Sequence, residues 1–187
     1  YNQLYINVPV MEGSQQQQYV QNNITKSWAN FTGWTANCWE IYLENPYFGG
    51  NGFVGLAWNG TVDDTSDIAG FGLQSFQSYG TALQKQCKMI RYHFLTNGSP
   101  SVFGNVNVDY NLADQSAQLS FSATSYGLWG TGLWDNAVWG SDLVPNADWQ
   151  GTTEIGYTFA PLIKTSTQGI QLQWIATDLV FEGGGVL

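Results

Sequence analysis

The chain has 187 residues, 43% of them hydrophobic and 16% aromatic, a composition that builds a core and argues against a disordered tail. Only 10% are charged, and fourteen acids against five bases leave a formal charge of −9. That balance argues against gripping nucleic acid or an anionic membrane, which takes clustered Lys and Arg.

Opening at Tyr1 without an initiator Met, the chain reads as a fragment or a processed product. Helix signals are nearly absent. Short β-branched and aromatic segments punctuated by Gly, Asn and Asp predict an all-β fold. Leu4 to Val8 is the first expected strand, stopping at Pro9, which lacks a ladder donor. Tyr19–Gln21 and Ser27–Phe31 flank the turn signal Asn22-Asn23-Ile24-Thr25 and read as a hairpin. Trp39–Tyr42 is another strand. Tyr47-Phe48 and Phe53–Trp58 form a hairpin around Gly49-Gly50-Asn51-Gly52. Residues 1–60 thus read as a propeller-like blade or small sheet.

A polar connector, 61–67, contains Asp63-Asp64-Thr65-Ser66-Asp67. Its oxygens are possible calcium ligands, but EF-hand spacing is missing and a solvated linker is the simpler reading. Residues 68–187 read as a β-sandwich-like unit. Ile90, Tyr92 and Phe94 share one face, with Arg91 and His93 on the other. Val106, Val108 and Tyr110 oppose Asn105, Asn107 and Asp109, the pattern of a strand with one wet face; Leu119 and Phe121 are a shorter version. Ile170, Leu172 and Trp174 alternate with Gln171 and Gln173, and the phase then shifts near Asp178, where a bulge is expected.

Residues 126–150 carry an approximate repeat: Gly127-Leu128-Trp129, Gly132-Leu133-Trp134, Ala137-Val138-Trp139. Its spacing of five residues suits neither one helix face nor one strand face. The expected structure is a long loop pinned by Trp anchors: Trp129, Trp134, Trp139 and Trp149.

Catalytic chemistry finds little support. The single histidine, His93, excludes a histidine metal cluster and leaves a surface-polar role. The acids Glu40 and Glu44, Asp63, Asp64 and Asp67, and Asp135 and Asp142 make accidental pairs more readily than a glycosidase pair. Cys38 and Cys87 are expected to be free, small core residues. No apolar run nears the roughly 20 residues that span a bilayer as a helix. The expectation is a protein that is not an enzyme, with no cofactor, no metal and no membrane partner. Sequons at Asn23, Asn30, Asn59 and Asn97 carry little weight in a chain so rich in Asn, Ser and Thr.

Several signatures nevertheless fall together: Gln18-Tyr19-Val20-Gln21-Asn22, Trp28-Ala29-Asn30-Phe31-Thr32-Gly33-Trp34, Cys38-Trp39-Glu40 and Tyr47-Phe48-Gly49-Gly50. With the Leu-Trp/Val-Trp repeat, Trp174-Ile175-Ala176-Thr177-Asp178 and the closing Glu182-Gly183-Gly184-Gly185-Val186-Leu187, the chain resembles the carboxy-terminal part of short-tailed bacteriophage tail hub or nozzle proteins, of the packaged-DNA-stabilisation or tail-tubular type. The resemblance implies a virion structural protein located in the tail. It implies a homo-oligomeric ring, commonly sixfold, against portal, adaptor or other tail proteins, with DNA passing through unread during ejection. It transfers no catalytic residue. The alternative is a secreted or receptor-binding β-domain that recognises glycans through exposed aromatics.

Overall fold

The computed structural model describes residues 2–11, 15–112, 117–119 and 143–183, and among these there is strand and no helix. Internal contacts gather the chain into two units, Tyr1–Gly60 and Thr61–Leu187.

In the first unit, β1 (Gln3–Met11), β2 (Gln15–Asn22) and β3 (Trp28–Phe31) form an antiparallel meander. The side-chain oxygen of Asn22 accepts from the N–H groups of Ile24 (2.8 Å) and Thr25 (3.2 Å), which turns β2 into β3. Contrary to the sequence expectation, Pro9 does not end β1. The strand runs on to Met11 because it is an edge strand, where proline is tolerated, and the register slips between Pro9 and Met11. A second meander follows: β4 (Cys38–Tyr42), β5 (Asn45–Gly49) and β6 (Val54–Leu56). Leu43 and Glu44 form the two-residue turn of its first hairpin with φ of 47° and 63°, the geometry that matches the strand twist.

The core of this unit is aromatic. Trp34 stacks on Phe48 with centroids 5.3 Å apart, and Tyr5 on Trp39 at 4.7 Å. Phe31 packs edge-on against Trp34 and Trp58. Trp39 Nε1 donates to Asn7 Oδ1 at 2.9 Å and Trp58 Nε1 to the Tyr5 hydroxyl, so these indoles keep polar partners while their rings pack. Gln18 is fully buried, its amide donating to the Ala36 carbonyl.

The second unit begins with β7 (Ile68–Leu73), β8 (Lys85–Thr96), β9 (Ser101–Val108) and β10 (Ala117–Gln118). It continues with β11 (Val144–Asn146), β12 (Trp149–Gly151), β13 (Ile155–Gly156), β14 (Phe159–Thr167) and β15 (Leu172–Gly183). One sheet has the order β10-β9-β14-β7. The other centres on β8, with β15 along one edge and β11, β12 and β13 in succession along the opposite edge. Both sheets contribute to a single core: Cys87, Ile90, Tyr92 and Phe94 from β8, Val102 and Val106 from β9, and Phe159 and Ile163 from β14, with Leu119 closing one side. Pro161 sits in β14 at the end of β7. Its carbonyl accepts from Gln74 on that side, so its missing N–H costs no bond to β9.

Several expectations need correction. The face of β9 expected to be wet is so only in part: Asn105 is half-buried and Asp109 exposed, but Asn107 is buried, its Oδ1 accepting from Asn105, and Tyr110 lies exposed in the turn beyond the strand. Residues 144–146 and 149–151, expected in the long loop, are strands on the edge of β8. Cys38 is exposed and not a core residue, whereas Cys87 is buried, and both are free. The segment 61–67 is no free linker: Asp63 and Ser66 bridge each other, Asp67 accepts from the Ser166 hydroxyl, and the carbonyls of Thr61 and Thr65 accept from Gly169 and Gln168. The parity change of the last strand does arise from a bulge, but at Ile175, which is skipped when Trp174 pairs with Phe94 and Ala176 with His93.

Candidate assembly surfaces

Each unit presents one surface with side chains its own core does not use. In the first unit, directly paired residues share a face. Tyr5, Val20 and Ala29, then Asn7, Gln18 and Phe31, form the rows on the core side. The opposite face carries the rows Leu4-Gln21-Trp28 and Ile6-Tyr19-Asn30, then Val8 beside Gln17. Leu4, Ile6, Val8 and Trp28 are exposed there. Among the described residues no strand pairs with the outer edge of β1. The outer face of the second meander is different in kind, since Glu40 stands in the row with Tyr47 and Leu56.

In the second unit the outward face of the β8 sheet carries a polar row across three strands: Trp149 on β12, Arg91 on β8 and Asp178 on β15. Arg91 donates to Asp178 Oδ2 through Nε (3.0 Å) and a terminal nitrogen (2.6 Å), and His93 Nε2 lies 2.8 Å from the same oxygen. The hydrogen bond from His93, then those from Arg91, hold the Asp178 carboxyl below its ordinary range. The Arg91 guanidinium lies 4.4 Å from the centre of the Trp149 ring. Met89, Ile175 and Val180 are exposed around this row. Opposite charges thus meet on this face with exposed apolar side chains around them.

Two other polar groups are structural. Lys85 is buried, with Nζ donating to the carbonyls of Thr81, Leu83 and Tyr157. Asp109, in the turn after β9, accepts from the N–H groups of Tyr157 and Thr158 and from the Thr158 hydroxyl. Burial pushes the Cys87 thiol up to about 12, with the charge of Glu154 adding to the effect, so this cysteine is a packing residue and a poor nucleophile.

Of the expected Trp anchors, Trp149 lies in β12, 40% exposed and stacked on Arg91. Trp129, Trp134 and Trp139 lie outside the described residues. Arg91 and His93 do share one face, but sequence reasoning missed their joining with Asp178, because the Ile175 bulge conceals the aspartate's parity. Among the described residues no cluster of three His, Cys, Asp or Glu side chains is arranged for a metal ion, and no helix is long and apolar enough to cross a membrane. No protein-family model, curated protein or solved structure matches this chain.

Proposed function

We propose that the chain is a structural protein of a bacteriophage tail, acting as copies of itself in a ring or nozzle around the DNA channel and not as an enzyme. One observation carries the assembly part of this reading: the first unit leaves Leu4, Ile6, Val8 and Trp28 exposed on a sheet whose β1 edge no described strand pairs, a surface that a soluble monomer normally covers. The placement in a tail rests on the resemblance of the sequence signatures. A net charge of −9 suits the same role, because an acidic channel wall repels phosphate and lets DNA pass without sticking.

Glycan recognition is the second reading, favoured by the exposed Trp28 beside the side-chain amide of Gln21. Light scattering after size-exclusion chromatography, run alongside a glycan array, separates the two. The tail reading expects a multimer of defined mass and no glycan signal. A monomer that binds a glycan, and loses it on Trp28→Ala, overturns it.

A further inference from the structure

We infer that the outer face of β1–β2–β3 is a self-association surface and that its occupant is a second copy of this chain. The inference rests on the assembly reading above and names one contact within it, this face packed against the same face of the second copy, a two-fold contact that pairs copies and does not by itself close a ring. The argument is one of charge. The chain carries fourteen acids and five bases, yet the strands Gln3–Met11, Gln15–Asn22 and Trp28–Phe31 contain none of them. Copies at −9 each repel one another, so the contact that opposes assembly least is one that brings no carboxylates together and strips no charge of water. The other meander has Glu40 in its outer face, and the β8 sheet has Arg91 and Asp178 in its own. A partner that recognises charge, such as a polyanion, a basic peptide or an anionic membrane, finds nothing to hold on this face.

The chemistry of the face fits the assignment. β1 supplies an aliphatic column, Leu4, Ile6 and Val8; β2 supplies Gln17, Tyr19 and Gln21; β3 supplies Trp28 and Asn30. Aliphatic groups exclude water, an aromatic anchor contributes disproportionately, and uncharged amides hydrogen-bond without ionic desolvation. The outer edge of β1, unpaired among the described residues, adds backbone donors and acceptors beside the same column.

The test uses the full chain in sedimentation velocity, with a thermal melt to check folding. The substitution Ile6→Asp places a charge among the aliphatic residues and is expected to weaken self-association by about tenfold or more, while Val54→Asp on the other meander leaves it unchanged. Raising salt from about 0.1 M to about 1 M shortens the screening length from about 10 Å to about 3 Å, so it is expected to tighten a charge-free contact between like-charged copies. As a measurement independent of destabilisation, the Ile6→Cys/Cys38→Ser double variant is expected to form cross-linked dimers with a short bismaleimide. A folded Ile6→Asp variant that assembles like the parent, a multimer that dissociates in high salt, or a double variant that gives no cross-link overturns the assignment of this face and leaves the assembly reading standing. A parent chain that stays monomeric at every concentration overturns both.

Discussion

The two units use their aromatic residues in different ways. In the second, Tyr92, Phe94 and Phe159 are buried among Ile90, Val102, Val106 and Ile163, between two sheets that close over them. In the first, among the described residues, the buried hydrophobic cluster is Ala36, Phe48 and Ala57, with Trp34 and Trp39 partly open around it. Large rings hold the first unit together where strands are short and sheets are three strands wide. One unit is a finished sandwich-like core; the other is a pair of meanders whose outer surfaces remain uncovered. The difference is one of burial: the larger buried core lies in the second unit, and the exposed apolar row Leu4, Ile6 and Val8 lies in the first.

Native-state thiol alkylation tests that division most sharply. Cys38 is exposed in the first unit, while Cys87 is fully buried in the second and its thiol is pushed up to about 12 from an ordinary 9.0. Burial and the raised thiol value of Cys87 both slow its reaction, so Cys38 is expected to label much the faster of the two. Comparable rates by mass spectrometry break the comparison. Next in size is Phe159→Ala, which removes a fully buried ring from the larger core and is expected to cost about 3–5 kcal/mol. Trp28→Ala, at an exposed site in the first unit, is expected to stay within about 0.5 kcal/mol in a monomeric sample. Urea denaturation of both variants measures the contrast, and equal losses undo it.

The legible parts of the fold were those with clean local signals. Alternation marked the central strand at Ile90, Tyr92 and Phe94, and the Asn and Gly turns marked the β2–β3 and β5–β6 hairpins of the first unit. β14 escaped notice because it reads Phe159-Ala160-Pro161-Leu162-Ile163, a continuous apolar run with a proline, and periodicity cannot identify a strand buried on both faces. The short strands β11, β12 and β13 have no pattern of their own; they exist because they lie along the edge of β8. Bulges hid the rest. In β8 the register slips where Val180 pairs with Met89 and Phe181 with Cys87, leaving Lys88 as the extra residue, and a second slip at Ile175 brings Asp178 beside Arg91. The polar row therefore lay beyond parity counting. The uncharged outer face of the first meander was present in the sequence as an absence of charge, but only the register shows which residues share it.

Two glycine-related positions sharpen the comparison at smaller scale. A Cβ added at Gly156 would lie 2.0 Å from Val108 Cγ1 and 2.6 Å from Asp109 Oδ2, at a joint where Asp109 holds the backbone of Tyr157 and Thr158. Gly156→Ala is expected to cost about 1–3 kcal/mol, and a neutral result in chemical denaturation indicates that the joint yields. In the first unit the strain is already present. Leu43 occupies a φ of 47° at the hairpin tip and is 75% exposed, a combination with steric cost and no burial to offset it. Leu43→Asn is expected to stabilise the unit by about 1 kcal/mol, since Asn tolerates this conformation. A loss of stability instead assigns Leu43 a contact that only the assembled protein makes.

The smallest effect concerns Asp178. Its carboxyl is exposed and held below the ordinary 3.8 by the hydrogen bond from His93 and then by Arg91. A carboxylate whose native value is lowered contributes stability above the ordinary value, and that contribution fades as pH falls toward the native one. Asp178→Asn is thus expected to lower the melting temperature slightly at neutral pH, with the gap to the parent closing as the solution is acidified past the ordinary carboxylate range. Solvent screens such a pair, so the gap is modest even where it is largest. Glu182, 2.8 Å from Lys88 on the same two strands, has its carboxyl lowered in the same direction by the hydrogen bond from that lysine, and Glu182→Gln serves as the internal control. If the Asp178→Asn gap widens in acid, the row joining Trp149, Arg91 and Asp178 opposes folding, and the β8 surface then requires a reason in assembly of its own.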